Sequence, residues 1–236
     1  MAEKKIGMIS STIRDLPEHR EKVMEACLRL GVMPSMMEHW PSIDTDGVTA
    51  SLAKVDEADR LIREIRREAL KYAERALSIR VNILGTRHPD TASSYGNVGN
   101  VCGNLGEYGR ALQCEQRALE IVDELFGTRS PMGALILNNI CLIYLALNEP
   151  KKAGEIVENA LAIRNELFGE QHPDTIASVI NLSEAHLRLG HSHKAFSLLD
   201  YHYSRISKNN PMYERLKIRR ANIVRPGFRQ LPKKRR

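Results

Sequence analysis

Three asparagines, Asn97, Asn139 and Asn181, stand 42 residues apart in otherwise apolar stretches such as LILNNICLIYL. A side-chain amide both donates and accepts hydrogen bonds, and it therefore matches the alternating N–H and C=O groups of an extended peptide. Burying such an amide without partners is costly, so we expect the repeated amide to have a role. Two interpretations are open: the column binds a peptide ligand, or it forms a ladder of hydrogen bonds between neighbouring helices.

Further side chains are predicted to share the face of the asparagine column, because steps of three, four and seven residues along a helix stay on one face. Around Asn139 these positions hold Leu142 and Ala146, which predicts an apolar centre. No cluster of Lys or Arg lines the predicted face, so we expect a mostly neutral, extended ligand. The predicted peptide-binding residues are Asn97, Asn100, Asn104, Asn138, Asn139, Asn181, Glu184 and Arg188.

Other residue types that could do chemistry are less clearly arranged. The hydroxyl-rich stretch Ser10, Ser11 and Thr12, with Arg14, is a candidate anion-binding site at a predicted helix start. The phosphate-binding pattern GxxxxGK[ST] is absent from the sequence, and helix capping is the better explanation of these hydroxyls. The histidines between positions 186 and 202 lack a matching carboxylate or thiol, so no metal site is expected. We expect no catalytic residues, no cofactor and no enzymatic activity.

The asparagine column belongs to a longer repeat of 42 residues, which begins with HPDT at 88–91, SP at 130–131 and HPDT at 172–175. A period of this length is typical of stacked supersecondary units. His or Ser followed by Pro matches an N-cap and the first helical position, where the missing proline N–H is not needed. Each repeat therefore predicts two helices. The first helices end at Gly106, Asn148 and Gly190, and the second helices end at Gly85, Gly127 and Gly169, predicted as left-handed C-caps.

Columns of small residues complete the pattern, since Ala111, Ala153 and Ala195 open the second helices. Together with the HPDT starts and endings such as RALEIVDELFG, they resemble the tetratricopeptide repeat (TPR), in its 42-residue, kinesin-light-chain-like subtype, over residues 64–205. The resemblance implies a right-handed superhelix whose concave face, lined by the first helices, holds an extended peptide. It also implies that an asparagine in this column binds the peptide backbone.

Residues 1–59 do not follow the repeat, and their pattern of strand, helix, strand and helix favours part of a parallel α/β unit. ISSTIRDLPEHREKVMEACLRLG resembles a domain of unknown function that opens with ISSTFRDL, whose fold is related to TIR-like and flavodoxin-like sheets. This resemblance implies an alternative function, a nucleotide-sensing or NAD-processing effector. After Asp59 the chain passes into LIREIRREAL without the third strand of that family. The segment is therefore either an independently folding module or the remnant of a larger domain.

Positive charge is concentrated at the end of the sequence, where residues 205–236 hold twelve Lys or Arg and one acidic residue. RPGFRQLPKKRR at 225–236 predicts a basic disordered tail, and any nucleic-acid binding is expected through this tail alone. Four cysteines without CxxC spacing favour free thiols in a reducing compartment. Neither a signal peptide nor a membrane span is predicted, so we expect a cytoplasmic protein without a membrane partner.

The sequence thus predicts a mainly α fold, a TPR-type α-α superhelix preceded by a small partial α/β segment. The predicted function is a non-catalytic scaffold that binds an extended peptide of a protein partner. The partner's identity and the oligomeric state are open at this point. The predicted layout is an α/β module at 1–59, a repeat array at 60–210 (half-unit 60–87 and units 88–129, 130–171 and 172–210), a capping helix at 211–224 and the tail at 225–236.

Overall fold

The computed structural model describes the backbone of residues 45–224 and the side chains of residues 55–223. Between residues 45 and 224 the regular elements are all helices, so the mainly α fold class is confirmed for this part of the chain. The strands predicted near the N-terminus lie outside the described residues. The helices are α1 (Thr45–Leu84), α2 (Pro89–Leu105), α3 (Tyr108–Phe126), α4 (Pro131–Ala146), α5 (Pro150–Phe168), α6 (Pro173–Arg188), α7 (Ser192–Tyr203) and α8 (Tyr213–Val224).

Helix α1 runs without interruption for 40 residues, through the position where the sequence places the end of the N-terminal module. Its sequence holds neither Gly nor Pro after Gly47, so nothing in it breaks the helix between the two predicted segments. The chain divides into two compact units between Glu68 and Ala69, inside this helix. Within the second unit, Leu70 is buried in a cluster with Val98 and Cys102 of α2.

The repeated tetrapeptide HPDT builds the turn between consecutive hairpins. Nδ1 of His88 and of His172 accepts the backbone N–H two residues further on, at 3.1 and 3.2 Å. The hydroxyls of Thr91 and Thr175 donate to the carbonyl of the glycine that ends the preceding helix, at 2.8 and 2.9 Å. In the middle repeat, Oγ of Ser130 accepts the N–H of the third helical residue at 3.1 Å. The tetrapeptide recurs because the turn recurs, and the predicted helix starts are confirmed.

The glycines after the second helices have positive φ, but their conformation differs from the predicted left-handed cap. Gly127 and Gly169 have φ/ψ of 76°/154° and 81°/167°, a region that is open essentially to glycine alone. The chain extends there because only two residues separate each of these glycines from the next N-cap. The glycine after the first helix is different: Gly106 is left-handed, at 83°/7°, and Asn148 in the matching position has φ 59°.

These two conformations predict losses of stability of different size for the same substitution. Gly106→Asn is expected to change the free energy of unfolding by less than about 1 kcal/mol, because Asn adopts the left-handed region, as Asn148 does here. Gly169→Asn is expected to lower it by about 2 kcal/mol, because Asn fits the extended positive-φ region poorly. Urea unfolding of the two variants checks this, and equal losses would contradict the assignment of the turn.

Small side chains allow the helices of each hairpin to cross closely. Ala111, Ala153 and Ala195 are fully buried near the start of α3, α5 and α7, as the repeat predicted. The apolar cores lie between the hairpins and continue to the last helix, where Leu216 of α8 packs in a cluster with Leu199 of α7. The stacked hairpins α2–α3, α4–α5 and α6–α7 therefore present their first helices, α2, α4 and α6, in consecutive positions.

Candidate functional site

The asparagine column lies on α2, α4 and α6, but its three members have different surroundings. Asn97 is exposed, Asn139 is half-buried and Asn181 is only 9% exposed. On α2, Asn100 and Asn104 are also accessible, so this helix presents several amides along its length. One sequence pattern therefore covers side chains that differ in what they can contact.

Asn181 belongs to a buried hydrogen-bond network between α4, α5 and α6. Its Nδ2 donates to Oδ1 of Asn138 at 3.0 Å, and the same oxygen accepts the hydroxyl of Ser178 at 3.4 Å. Arg164 of α5 donates to Oγ of Ser178 and to the carbonyl of Asp174, each at 2.7 Å. Between these helices, the asparagine makes the ladder contact that one of the two interpretations predicted.

Asn139 instead donates to a buried carboxylate that the sequence analysis did not single out. Its Nδ2 lies 3.1 Å from Oε1 of Glu115, a fully buried residue of α3. Burial raises the pKa of Glu115 to about 7, against a smaller lowering by the hydrogen bond from Asn139. Oε2 of Glu115 is buried without a hydrogen-bond partner among the described residues. Among the described residues, only one of the two carboxylate oxygens therefore has a hydrogen-bond partner.

The sequence did contain a signal for Glu115. One period away, the corresponding positions hold Ala73 and Val157, and two periods away Leu199. Val157 and Leu199 are fully buried core residues. A glutamate in a column that is otherwise apolar has either a partner or a role, because an isolated buried carboxylate is costly.

Two exposed leucines flank Asn139 along α4. Leu135 precedes it by four residues and Leu142 follows it by three, so the three side chains share one face of the helix. Leu135 is 52% exposed and Leu142 is 47% exposed. Leu142 was predicted as part of an apolar centre, whereas Leu135 was missed, although the same helical spacing identifies it. Neighbouring exposed apolar side chains are typical of contact surfaces.

The predicted site residues on α6 take part in ion pairs. Glu184 accepts from Arg188 at 2.8 Å and from Arg219 of α8 at 2.9 Å. Arg188 also donates to the carbonyl of Leu145 near the end of α4. These contacts link α4, α6 and α8, and the charges on this side of the face are paired with one another.

Other ionisable groups are separated or buried. Burial lowers the pKa of His186 and of His202, and the described residues contain no group of three or more His, Cys, Asp or Glu placed to hold a metal ion. Burial raises the thiol pKa of Cys102 and that of Cys141, the latter to about 12. Because the thiolate is the nucleophilic form, these two thiols are unreactive near neutral pH.

Two predicted features lie outside the described residues, namely the candidate anion site (Ser10, Ser11, Thr12 and Arg14) and the basic tail at 225–236. Between residues 45 and 224, no helix combines the length and the hydrophobicity that crossing a membrane requires.

Comparison with protein families agrees with the repeat architecture. The model of the tetratricopeptide repeat matches residues 66–124 and 134–200, which together make up more than half of the chain. A domain of unknown function (DUF4062) matches residues 8–67, so both resemblances noted in the sequence are confirmed. The family that matches the N-terminal residues has no known function, and the match gives no support to the nucleotide-processing alternative. No curated protein sequence matches the chain.

Solved structures share the fold at low sequence identity. The nearly identical TPR-like repeats of a Podosopora anserina protein assigned as a kinesin light chain are 19% identical, with a TM-score of 0.60 over 71% of this chain and 82% of that one. A single-substitution variant of the same repeats has a TM-score of 0.61, with the same identity and coverage. BtubC (BKLC) from P. vanneervenii is 19% identical, with a TM-score of 0.60 over 90% of this chain and 80% of that one. At this identity the likeness is one of fold.

Proposed function

Because the chain belongs to the tetratricopeptide repeat family, we propose that it is a non-catalytic interaction scaffold, which binds an extended segment of a partner protein on α2 and α4. The observation that carries the proposal is the arrangement around Asn139, a half-buried amide between the exposed side chains of Leu135 and Leu142. An amide can bond a partner's backbone, and leucines on either side can pack against its apolar side chains.

We assign the predicted site residues two roles in this proposal, according to how exposed they are. Asn97, Asn100, Asn104 and Asn139 belong to the binding face, together with Leu135 and Leu142. Asn138 and Asn181 are buried, and Glu184 and Arg188 are ion-paired with each other, so we assign these four residues to the support of that face.

The chemistry of the face favours a neutral partner segment. On α2 the asparagines are uncharged, and α4 carries no charged side chain between Pro131 and Ala146. A segment with apolar side chains that face the two leucines would bury them, and full burial of one leucine contributes about 2 kcal/mol. Specificity would then depend on apolar side chains of the partner, while the amides bond its backbone.

The proposal predicts a clear difference between two leucine variants. Leu142→Ser is expected to weaken binding at least tenfold, which corresponds to about 1.4 kcal/mol, because it removes apolar contact at the centre of the face. The probe is a fluorescent peptide selected on the wild-type chain from a displayed random library, and fluorescence anisotropy gives the affinity.

A matched control is Leu167→Ser, since Leu167 is similarly exposed, at 43%, near the end of α5. It is expected to leave the affinity within about a factor of two of wild type, because it lies on a second helix of a hairpin. Equal losses in the two variants would contradict the placement of the site. A library that yields no binding peptide would count against the proposed function itself.

A further inference from the structure

Glu115 reaches from α3 into the space between α2 and α4, where α2 presents glycine instead of a side chain. A Cβ added at Gly99 would lie 3.1 Å from Oε1 and 3.2 Å from Cγ of Glu115, and one added at Gly96 would lie 3.9 Å from Oε2. Each glycine within a helix lowers helix stability by about 1 kcal/mol relative to alanine. Two such residues against one carboxylate therefore indicate a space shaped to hold it.

The amide nitrogen of the repeated asparagine has a different acceptor between α4 and α6 than between α2 and α4. Between α4 and α6, the amide nitrogen of Asn181 donates to Oδ1 of Asn138. The residue of α2 that corresponds to Asn138, one period earlier, is Gly96, which has no side chain to accept the amide of Asn139. Oε1 of Glu115 accepts it instead, at 3.1 Å. The second helix of the hairpin thus supplies the acceptor that the first helix lacks.

We propose that Glu115 positions Asn139 for partner binding, by holding the amide nitrogen inward so that the carbonyl oxygen Oδ1 is left to accept a backbone N–H of the partner. This inference rests on the proposed function, since it explains how one residue of that face is oriented. An amide that can rotate presents a donor and an acceptor in turn, whereas an anchored amide presents one of them. An anchored Asn139 therefore presents only a hydrogen-bond acceptor to the partner.

Burial and the hydrogen bond from Asn139 determine the pKa of Glu115, because the charged groups around it are paired with others or lie in the first turn of α2. On its own helix, Arg110 is paired with Glu74 of α1 and Arg117 with Glu120, while the thiol of the adjacent Cys114 is also buried in part. The one charged side chain of α2 is Asp90, in the first turn, and α4 carries none. The other titratable side chains of these two helices are thiols and phenols, namely Cys102 and Tyr95 on α2 and Cys141 and Tyr144 on α4.

A positioning role predicts a pattern that a purely structural role does not. The ionised carboxylate is the stronger acceptor, so wild-type affinity for the selected fluorescent peptide is expected to rise about threefold or more from pH 6 to pH 8. Glu115→Gln keeps a carbonyl acceptor but cannot ionise. Its affinity is therefore expected to be independent of pH and close to that of the wild-type chain at pH 6. Glu115→Val removes the acceptor, and its affinity is expected to fall about tenfold while its thermal stability is at least that of wild type.

The outcomes separate this inference from the proposed function. If Glu115→Val binds as tightly as wild type while Leu142→Ser does not, the positioning role is overturned and the proposed binding face stands. If neither change affects binding, the proposed function fails as well.

A second measurement does not depend on any peptide. The side-chain amide signals of Asn139 in a ¹⁵N–¹H spectrum, assigned by their loss in Asn139→Ala, are expected to titrate near pH 7 in the wild-type chain. They are expected to stay constant over the same range in Glu115→Gln. Signals in the wild type that do not respond to pH would show that Glu115 does not act on Asn139, and would overturn the inference.

Discussion

The free energy of unfolding of the wild-type chain is expected to fall by about 3 kcal/mol between pH 4 and pH 8, relative to that of Glu115→Gln. The cause is the buried carboxyl of Glu115, whose pKa burial raises from 4.5 to about 7 in the folded chain. Below the unfolded pKa, both states hold the proton and the group has no effect on stability. As the pH rises toward 7, the unfolded chain releases the proton first, which favours unfolding. Above the folded-state pKa of about 7, both states have released the proton, and the free energy of unfolding falls no further.

Glutamine is the matched control because it has nearly the same shape and cannot ionise. All other titrating groups are common to both chains, so the difference between their stability curves isolates Glu115. Urea unfolding at a series of pH values gives both curves. Parallel curves would contradict the raised pKa, and a wild-type chain that gains stability relative to Glu115→Gln as the pH rises would show that the carboxyl is stabilised as an anion.

Local features of the sequence predicted the helix boundaries well. The caps at His88, Ser130 and His172 depend on atoms within three residues, so the motif alone determines them. The conformation of Gly127 and Gly169 was predicted only in the sign of φ. Their ψ depends on how the chain must travel to reach the next hairpin, and a cap motif does not contain that information.

The site was harder to predict because its contacts cross between helices. Asn139 and Asn181 occupy the same column, yet they have different partners, Glu115 and Asn138. The difference arises on the neighbouring first helix, which presents Gly96 in one case and Asn138 in the other. A column of identical residues therefore predicted a shared face but could not predict a shared environment.

The candidate site and the fold also respond to the environment in different ways. The buried network of Asn138, Ser178 and Asn181 involves amides and a hydroxyl, and its hydrogen bonds are the same at pH 6 and pH 8. The contact between Glu115 and Asn139 involves a carboxyl that titrates in this range. The part of any pH dependence of partner binding that Glu115→Gln removes is therefore expected to originate between α2 and α4.

Gly133→Ala is expected to lower the free energy of unfolding by about 3 kcal/mol, although alanine is the better helix former. A Cβ at Gly133, in the first turn of α4, would lie 2.1 Å from the carbonyl oxygen of Thr128 and 3.0 Å from its carbon. The new methyl group and the carbonyl of Thr128 are too close at these distances, so the backbone of the loop or of the helix must move. The loop resists that movement because both the backbone N–H and the hydroxyl of Thr128 donate to Oδ1 of Asp123.

Gly109→Ala is the control for this substitution, since a Cβ there meets nothing within 4 Å in the first turn of α3. It is expected to raise the free energy of unfolding by about 0.5–1 kcal/mol through helix propensity alone. Thermal or urea unfolding of both variants measures the difference, and a stabilised Gly133→Ala would contradict the close approach to Thr128.

The corresponding residues of the outer repeats, Thr91 and Thr175, suggest that threonine should be tolerated at position 133, but the structure predicts the opposite. In those repeats the threonine hydroxyl reaches the glycine carbonyl of the preceding turn, whereas at Gly133 the carbonyl of Thr128 lies where a side chain would be, in a loop that Asp123 holds. Val81 occupies the position of Asp123 one period earlier. Asp123→Val should therefore lower the cost of Gly133→Ala by about 1 kcal/mol or more in a double-mutant cycle, because the released loop can move away from the new methyl group. Additive effects of the two substitutions would show that Asp123 does not hold the loop against α4.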